Sequence, residues 1–257
     1  MIESKEEIVD RYFSVYLDYP VSQVDLGQII PVSSKRRLKE EIGWGCTVAI
    51  WVHIFRERAV ISIRPDLFEA LKKMLTEISS PSQLYTIEWR RKIGSFISSG
   101  EIGRLGHVLY YNLEHCRLFK APGCRRLEDS DVNAFVRMKL NLYPECDPDC
   151  LATDIRRNIK DGIVFGVFQE GKLVSVSEAP VIGHMQELIE EVGIETLPEY
   201  QRRGYGKAVL SATTNAILNI GRIPIYRCSS KNEASIRLAR TVGYEKYADI
   251  IEFQQPE

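Results

Sequence analysis

The segment "QRRGYGKAV", which runs from Gln201 to Val209, combines two glycines with three cationic side chains. It follows a proline and precedes a stretch whose apolar residues recur at helical spacing. The N-terminus of a helix presents backbone N–H groups without intrahelical partners and the positive end of the helix dipole. Glycines let a ligand approach those groups, and Arg202, Arg203 and Lys207 add positive charge. The segment therefore predicts either a pyrophosphate site or a tight strand-to-helix turn on a basic surface.

The glycine spacing matches neither of the two commonest phosphate-binding loops. The segment lacks the G-K-[ST] of a P-loop and the full G-x-G-x-x-G of a dinucleotide site. No acidic residue on a following strand is placed to hold a ribose. The loop alone leaves the ligand and turn interpretations open.

Composition and charge indicate a globular protein and give no sign of a nucleic acid partner or a membrane span. The chain has 257 residues, 44% of them hydrophobic and 27% charged, which is typical of a globular protein. The net charge of -1 gives no reason to expect a nucleic acid partner. Apolar runs are shorter than the roughly 20 residues of a membrane span. The start, "MIESKEEIVDRYF", lacks the basic and apolar regions of a signal peptide, so we expect a cytoplasmic protein.

Six cysteines are scattered along the chain, and we expect free thiols in a reducing compartment. Cys146 and Cys150 form a C-x3-C pair, with His115, Cys116 and Cys124 upstream. A zinc site could use these residues, but their spacing is irregular compared with structural zinc motifs. We therefore expect no metal.

The elements around the loop fall into two patterned regions. "KAPGC" at residues 120–124 is the predicted boundary, which gives domains of residues 1–120 and 121–257. In the first domain we expect helices over 4–17 and 64–78, a hairpin of strands 47–55 and 58–64, and a strand over 106–113. In the second we expect strands over 125–128, 188–197, 223–230 and 244–253, helices over 129–140, 148–160, 204–221 and 232–243, and a hairpin over 162–179 that turns at Glu170 and Gly171.

Two motifs in the second domain resemble those of a known superfamily. Q-x-x-G-x-G at residues 201–206, preceded by Pro198 at the end of a strand, resembles the acetyl-CoA pyrophosphate loop of the GNAT N-acetyltransferases. "NEASIRLARTVGY", from Asn232 to Tyr244, is similar to the segment after their fifth strand. The predicted element order also matches over about residues 122–257. The resemblance implies an α/β (α+β) fold with a mixed, mainly antiparallel sheet flanked by helices, plus a smaller N-terminal α/β subdomain.

The resemblance also implies how acetyl-CoA would bind as cosubstrate. The pyrophosphate would lie against the helix N-terminus, at Gln201, Arg202, Arg203, Gly204, Tyr205, Gly206 and Lys207. The fourth strand of the family separates from the fifth, and the pantetheine arm would pair with the backbone of Ile194, Glu195 and Thr196. These residues can at the same time form a buried strand. Asn232 would reach the pantetheine or cap the following helix, and Ser235 would lie behind it.

The catalytic groups are less well defined. Glu190, on the strand over 188–197, matches where some family members carry a carboxylate base, and a period of two places it on the face of Val192 and Ile194. Glu191 and His184 are alternatives, and a solvated strand end is another interpretation of the acidic run. Ala239 occupies the position where many members carry a tyrosine acid. Tyr226, Cys228, Ser229 or water would then protonate the leaving thiolate, while we expect Tyr244 to be a packing residue.

These inferences predict an N-acetyltransferase, which is a transferase of the acyltransferase class. It would move an acetyl group from acetyl-CoA to a primary amine, with a small molecule as acceptor. The alternative is a CoA-binding regulatory or scaffold module with little turnover, which the alanine at position 239 favours. Residues 1–120 would shape the acceptor pocket or form the interface of a homodimer.

Overall fold

The computed structural model describes residues 3–41, 46–112, 117–180, 185 and 187–255. Its helices are α1 Lys5–Leu17, α2 Phe68–Leu75, α3 Ile87–Gly94, α4 Val132–Leu142, α5 Pro148–Asp161, α6 Tyr205–Asn219 and α7 Glu233–Val242. Its strands are β1 Ile29–Ser33, β2 Val48–Phe55, β3 Arg58–Ile63, β4 Arg104–Tyr111, β5 Cys124–Arg126, β6 Ile163–Gln169, β7 Lys172–Ala179, β8 Ile189–Glu191, β9 Gly193–Thr196, β10 Ile223–Ser229 and β11 Tyr244–Gln254.

The chain folds into two compact units that are not continuous in sequence. Unit 1 comprises residues 1–108, 228–232 and 246–257, and unit 2 comprises residues 109–227 and 233–245. The strands β4, β10 and β11 each contribute residues to both units. The domain boundary predicted between residues 120 and 121 stays a prediction.

Unit 1 contains the predicted hairpin of β2 and β3, which pair antiparallel. Its turn residues Arg56 and Glu57 both have positive φ, at 45° and 59°, which suits the twist of a two-residue hairpin turn. The strand order in this unit is β1-β3-β2-β11-β4. Every residue of β2 is buried, so this strand is covered on both faces. The predicted helix over 64–78 is α2, preceded by a short 3-10 turn at Pro65–Leu67.

Two elements of unit 1 were not predicted from the sequence. The strand β1 contains Pro31 and nevertheless pairs in parallel with β3. It is the end strand of its sheet, where a proline is tolerated because one side of the strand needs no partner. The helix α3 has eight residues, four of them charged, and too short an apolar pattern to stand out.

Unit 2 contains a four-stranded antiparallel sheet in the order β5-β6-β7-β9. The predicted turn between β6 and β7 is confirmed, with φ of 49° at Glu170 and 79° at Gly171. One apolar cluster joins this sheet to α4 and α5, through residues such as Phe135, Ile155 and Val176. A second cluster joins it to α6. Helices therefore flank a sheet that ends in β9.

The predicted single strand over 188–197 is wrong, because the chain changes partners at Val192. The strand β8 pairs in parallel with β10, whereas β9 pairs antiparallel with β7. The N–H of Val192 donates to the carbonyl of Ile225 at 2.9 Å, and from Gly193 onward the ladder is with β7. The prediction that Glu190, Val192 and Ile194 share one face assumed a single strand, and the break at Val192 removes that assumption.

Candidate functional site

The N-terminus of α6 is open. Its N-cap residue, Gly204, has φ 86° and ψ -5°, a left-handed conformation that glycine adopts without strain. No side chain caps this 15-residue helix in the part of the chain described. A Cβ built on Gly204 would meet no atom within 4 Å. No described side chain therefore caps the first-turn N–H groups, and the space beside Gly204 lets an anion approach this helix end.

The second glycine of the loop has a packing role. A Cβ at Gly206 would lie 2.9 Å from Leu238 Cδ1 and 3.5 Å from Thr196 Oγ1. Gly206 thus lies close to α7 and β9, and the expectation that this glycine makes room for a ligand stays a prediction. A role of its N–H group in binding stays a prediction.

The cationic side chains lie on the surface around the open helix end. Arg202 and Arg203 are exposed. Arg203 donates to the carbonyl of Glu199 at 3.0 Å, with its guanidinium 5.2 Å from the ring of Tyr200. The ammonium of Lys207 lies 4.9 Å from the ring of Phe119. These contacts hold positive charge beside the helix N-terminus, which raises its affinity for an anion.

The strand before the loop has one unpaired edge among the described residues. β9 is the end strand of its four-stranded sheet, so only β7 pairs with it. The carbonyl of Glu195 points toward β7, since it accepts from Ser175 Oγ at 3.2 Å. Backbone groups alternate in direction along an antiparallel strand, so those of Ile194 and Thr196 face the other edge. Gln201 Nε2 reaches that edge and donates to the Thr196 carbonyl at 3.3 Å.

The predicted base is buried and paired. Glu190 is 2% exposed, and its carboxylate accepts a hydrogen bond from Arg222 Nη1 in an ion pair. Glu191 forms a comparable pair with Arg227 Nε. Each ion pair occupies a carboxylate oxygen that a general base would offer to an incoming amine. The third candidate, His184, lies outside the described residues.

The position of the missing acid is buried as well. Ala239 is fully buried on α7, one helical turn after Ser235. The hydroxyl of Tyr226 lies 2.9 Å from Ser235 Oγ, which places a hydroxyl pair beside this helix face. Tyr244 is 2% exposed and its hydroxyl lies 2.8 Å from Thr214 Oγ1, as expected for a packing residue.

The remaining predicted groups belong to the other unit. Cys228, Ser229 and Asn232 are assigned to unit 1, whereas the loop and β9 belong to unit 2. The residue before α7 is Asn232, as predicted, and its N–H donates to the carbonyl of Ser229 at 2.9 Å.

Sequence reasoning missed a charged cluster on unit 2. The ammonium of Lys139 lies 2.9 Å from Glu178 Oε1 and 2.8 Å from Glu195 Oε2. Tyr143 donates its hydroxyl to Glu195 Oε1 at 3.1 Å, and Asn158 Nδ2 donates to Glu178 Oε2 at 3.1 Å. Burial opposes the charge of Lys139, but the two carboxylates outweigh it and raise its pKa. Lys139 and Tyr143 are far in sequence from Glu178 and Glu195, so no local pattern could have connected the two sides of the cluster.

Other features of the described residues add little to the site. A cavity of about 330 Å³ between α4 and the β6–β7 turn is lined by none of the predicted site residues. No group of three or more His, Cys, Asp or Glu is arranged to hold a metal ion within the ranges described. No helix there has the length and apolar character needed to cross a membrane. Cys116 and His115 of the conceivable zinc site lie outside these ranges.

Comparison with known proteins identifies the C-terminal region. Residues 153–249 match the family model described as GNAT acetyltransferase. A search of curated proteins found no match. Among solved structures, a GNAT-family acetyltransferase from Colwellia psychrerythraea is 19% identical over 60% of this chain and 56% of that chain, with a TM-score of 0.52.

Further structures are similar at lower scores. A putative GNAT-family acetyltransferase from Novosphingobium aromaticivorans is 20% identical over 60% of this chain and 65% of that chain, with a TM-score of 0.47. The aminoglycoside N-acetyltransferase AAC(6')-Iy, in complex with CoA, is 19% identical over 48% of this chain and 88% of that chain, with a TM-score of 0.42. The chain thus spans about 56% and 65% of the length of the first two structures.

The observed architecture agrees with the family match. Mainly antiparallel strands flanked by helices form the mixed α/β fold shared with the Colwellia psychrerythraea structure. The motifs that predicted the family, the loop after β9 and the segment around α7, both lie within the matched residues. Residues 153–249 of this chain therefore match the GNAT acetyltransferase family model, and their fold agrees with that match.

Proposed function

We propose that this chain is an acetyl-CoA-dependent N-acetyltransferase that transfers an acetyl group to a primary amine of a small molecule. The observation that carries the proposal is the continuity of two open backbone surfaces. The unpaired edge of β9 leads within a few residues to the uncapped N-terminus of α6. A cosubstrate with an amide-bearing arm and a pyrophosphate is complementary to both in one extended pose.

The backbone directions refine which residues would touch CoA. The amide groups of the pantetheine arm would pair with Ile194 and Thr196, whose backbone groups face the unpaired edge. Glu195 would hold the strand in place through its side chain. Because Gln201 already donates to the Thr196 carbonyl, its amide must move aside or mark the end of the paired segment. The pyrophosphate would accept hydrogen bonds from N–H groups within residues 202–207, and Asn232 and Ser235 stay proposed pantetheine contacts.

The reaction forms a C–N bond between the amine and the acetyl carbon and breaks the C–S bond of the thioester. The amine nitrogen must lose a proton, and the departing CoA thiolate gains one. Glu190 stays the proposed base, although its carboxylate is already paired with Arg222. The pair Tyr226 and Ser235 offers hydroxyl protons for the thiolate. Orientation of the two reactants supplies roughly 7–11 kcal/mol of the barrier reduction, so weak acid–base groups suffice for slow turnover.

The environment of the two proton-transfer positions favours a second function, a CoA-binding regulatory or scaffold module. The buried alanine at position 239 and the ion-paired Glu190 leave both proton-transfer positions poorly equipped. A CoA-binding regulatory or scaffold module needs only the loop and the edge of β9. The role of residues 1–120, a homodimer and a cytoplasmic location likewise remain predictions.

The test is a thiol-release assay with acetyl-CoA and a panel of amines, aminoglycosides and amino acids. We expect CoA release that depends on the amine and an acetylated product in the mass spectrum. Tight CoA binding without transfer to any amine favours the regulatory module. Absence of CoA binding by the intact chain contradicts both functions.

A further inference from the structure

The cluster around Lys139 connects a helix to the end strand of the four-stranded sheet. Lys139 lies near the end of α4, and its ammonium contacts Glu178 on β7 and Glu195 on β9. The three charged side chains are only 15%, 18% and 21% exposed. Tyr143, just after α4, adds a hydrogen bond to Glu195. We refer to Lys139, Tyr143 and Glu195 as the β9 staple.

The cluster of Lys139, Glu178 and Glu195 fixes the relative positions of α4, β7 and β9 more than it stabilises the fold. Two carboxylates share one ammonium, so the cluster carries a net negative charge in a partly buried site. Removing charged groups from water is unfavourable, and such networks are weak evidence of stability. When their hydrogen bonds are satisfied, they instead specify one arrangement of the elements that carry them.

The strand β9 has fewer backbone contacts to hold its position than the inner strands of its sheet. It has four residues and pairs with β7 on one edge only. The backbone leaves the ladder with β10 at Val192, so among the described residues no strand pairs with β9 on that side, and only the side chain of Gln201 donates to its Thr196 carbonyl. The β9 staple supplies a second anchor from α4, through the side chain of Glu195, whose own carbonyl faces β7.

We propose that the β9 staple positions the unpaired edge of β9 for the pantetheine arm of CoA. The inference rests on the proposed function, since it assumes that CoA binds along β9. Lys139 and Glu195 are positioning residues that act through the backbone of Ile194 and Thr196. They contribute to recognition of the arm and not to recognition of the pyrophosphate, which binds at the separate N-terminus of α6.

The test compares two substitutions that each remove one carboxylate from Lys139. Glu195→Gln removes the ion pair between Lys139 and β9. Glu178→Gln removes the equivalent ion pair with β7 and serves as the matched control. Either variant leaves Lys139 with one remaining carboxylate, so neither creates an unpaired buried ammonium. Titration calorimetry measures the affinity of each protein for CoA and for 3′-phospho-ADP, which is CoA without its pantetheine arm.

We expect Glu195→Gln to weaken CoA binding about three- to thirty-fold and to leave 3′-phospho-ADP binding within about two-fold of wild type. Glu178→Gln should change neither affinity by more than about two-fold. Thermal unfolding of both variants provides the control for a general loss of structure. Lys139→Met, with Lys139→Arg as its conservative rescue, repeats the comparison from the helix side.

Three results overturn the inference. An unchanged CoA affinity for Glu195→Gln removes the positioning role. An equal loss for both ligands, or for both Glu variants, indicates a general structural effect. Failure of the wild-type chain to bind CoA overturns the proposed function itself, and it is distinguishable because it appears before any substitution is made.

Discussion

Aspartate substitutions at the two ends of α6 offer a matched test of the anion site. Gly204 precedes the helix at φ 86°, and Gly221 follows it at φ 76°. A Cβ at either position would meet no atom within 4 Å. Each Gly→Asp change therefore adds the same charge and the same left-handed strain, about 1 kcal/mol, without a steric clash.

We expect Gly204→Asp to lose CoA affinity and Gly221→Asp to lose stability. Gly204→Asp places a carboxylate where the pyrophosphate would lie and should cost about 1.5–3 kcal/mol of CoA binding, the range for a lost charge-assisted hydrogen bond. This corresponds to about ten- to a hundred-fold in affinity. An acidic residue is favourable at a helix N-terminus and unfavourable at a C-terminus, so Gly221→Asp should be the less stable variant.

Calorimetric titration with CoA and chemical denaturation of both variants measure these quantities. CoA affinity should fall for Gly204→Asp alone, and Gly221→Asp should bind as the wild-type chain does. If Gly204→Asp binds CoA normally, the pyrophosphate does not lie at this helix end. If both variants lose the same affinity, the effect comes from the fold and not from the site.

Three further substitutions test other parts of the structure. His53 is fully buried, and burial lowers its pKa to about 3. Below about pH 6.5 the unfolded chain therefore binds a proton at His53 that the folded chain does not bind, and the free energy of unfolding should fall by about 2 kcal/mol between pH 6.5 and 5. In denaturant titrations, the stability of His53→Leu should depend less on pH over this range. Gly206→Ala should change the free energy of unfolding by less than about 1 kcal/mol in denaturant titrations, because Leu238 Cδ1 ends a flexible side chain that can move and alanine is the better helix former; a larger loss would show that Leu238 is held in place. Glu190→Gln should reduce kcat about 10²–10⁴-fold at unchanged CoA affinity if it is the base, whereas equal turnover would remove it from the mechanism.

Local signals allowed much of the region that matches the GNAT family model to be predicted. The turn at Glu170 and Gly171 was identifiable because glycine adopts positive φ without strain and the two flanking runs have strand character. The start of α6 was identifiable for the same reason, since Gly204 marks a left-handed N-cap before an apolar-periodic run. These features depend on a few neighbouring residues, and so they can be read from the chain itself.

Features that depend on tertiary partners could not be predicted. "LIEEVGIETL" has uniform strand character, and only the positions of β7 and β10 divide it at Val192. The pairing of Glu190 with Arg222 joins residues separated by a whole helix, so the sequence suggested a base where the fold places an ion pair. The β9 staple likewise exists only because α4 packs across the sheet.

The most direct test of the central claim is mass spectrometry of acetyl transfer from isotopically labelled acetyl-CoA. The chain is incubated with labelled acetyl-CoA and each amine of the panel, and both the released CoA and the labelled amide are quantified. The proposed function predicts one labelled acetyl amide for each CoA released, with Gly204→Asp strongly reduced and Gly221→Asp unaffected. Release of CoA without a labelled amide, or no release with any amine while CoA still binds, would contradict it.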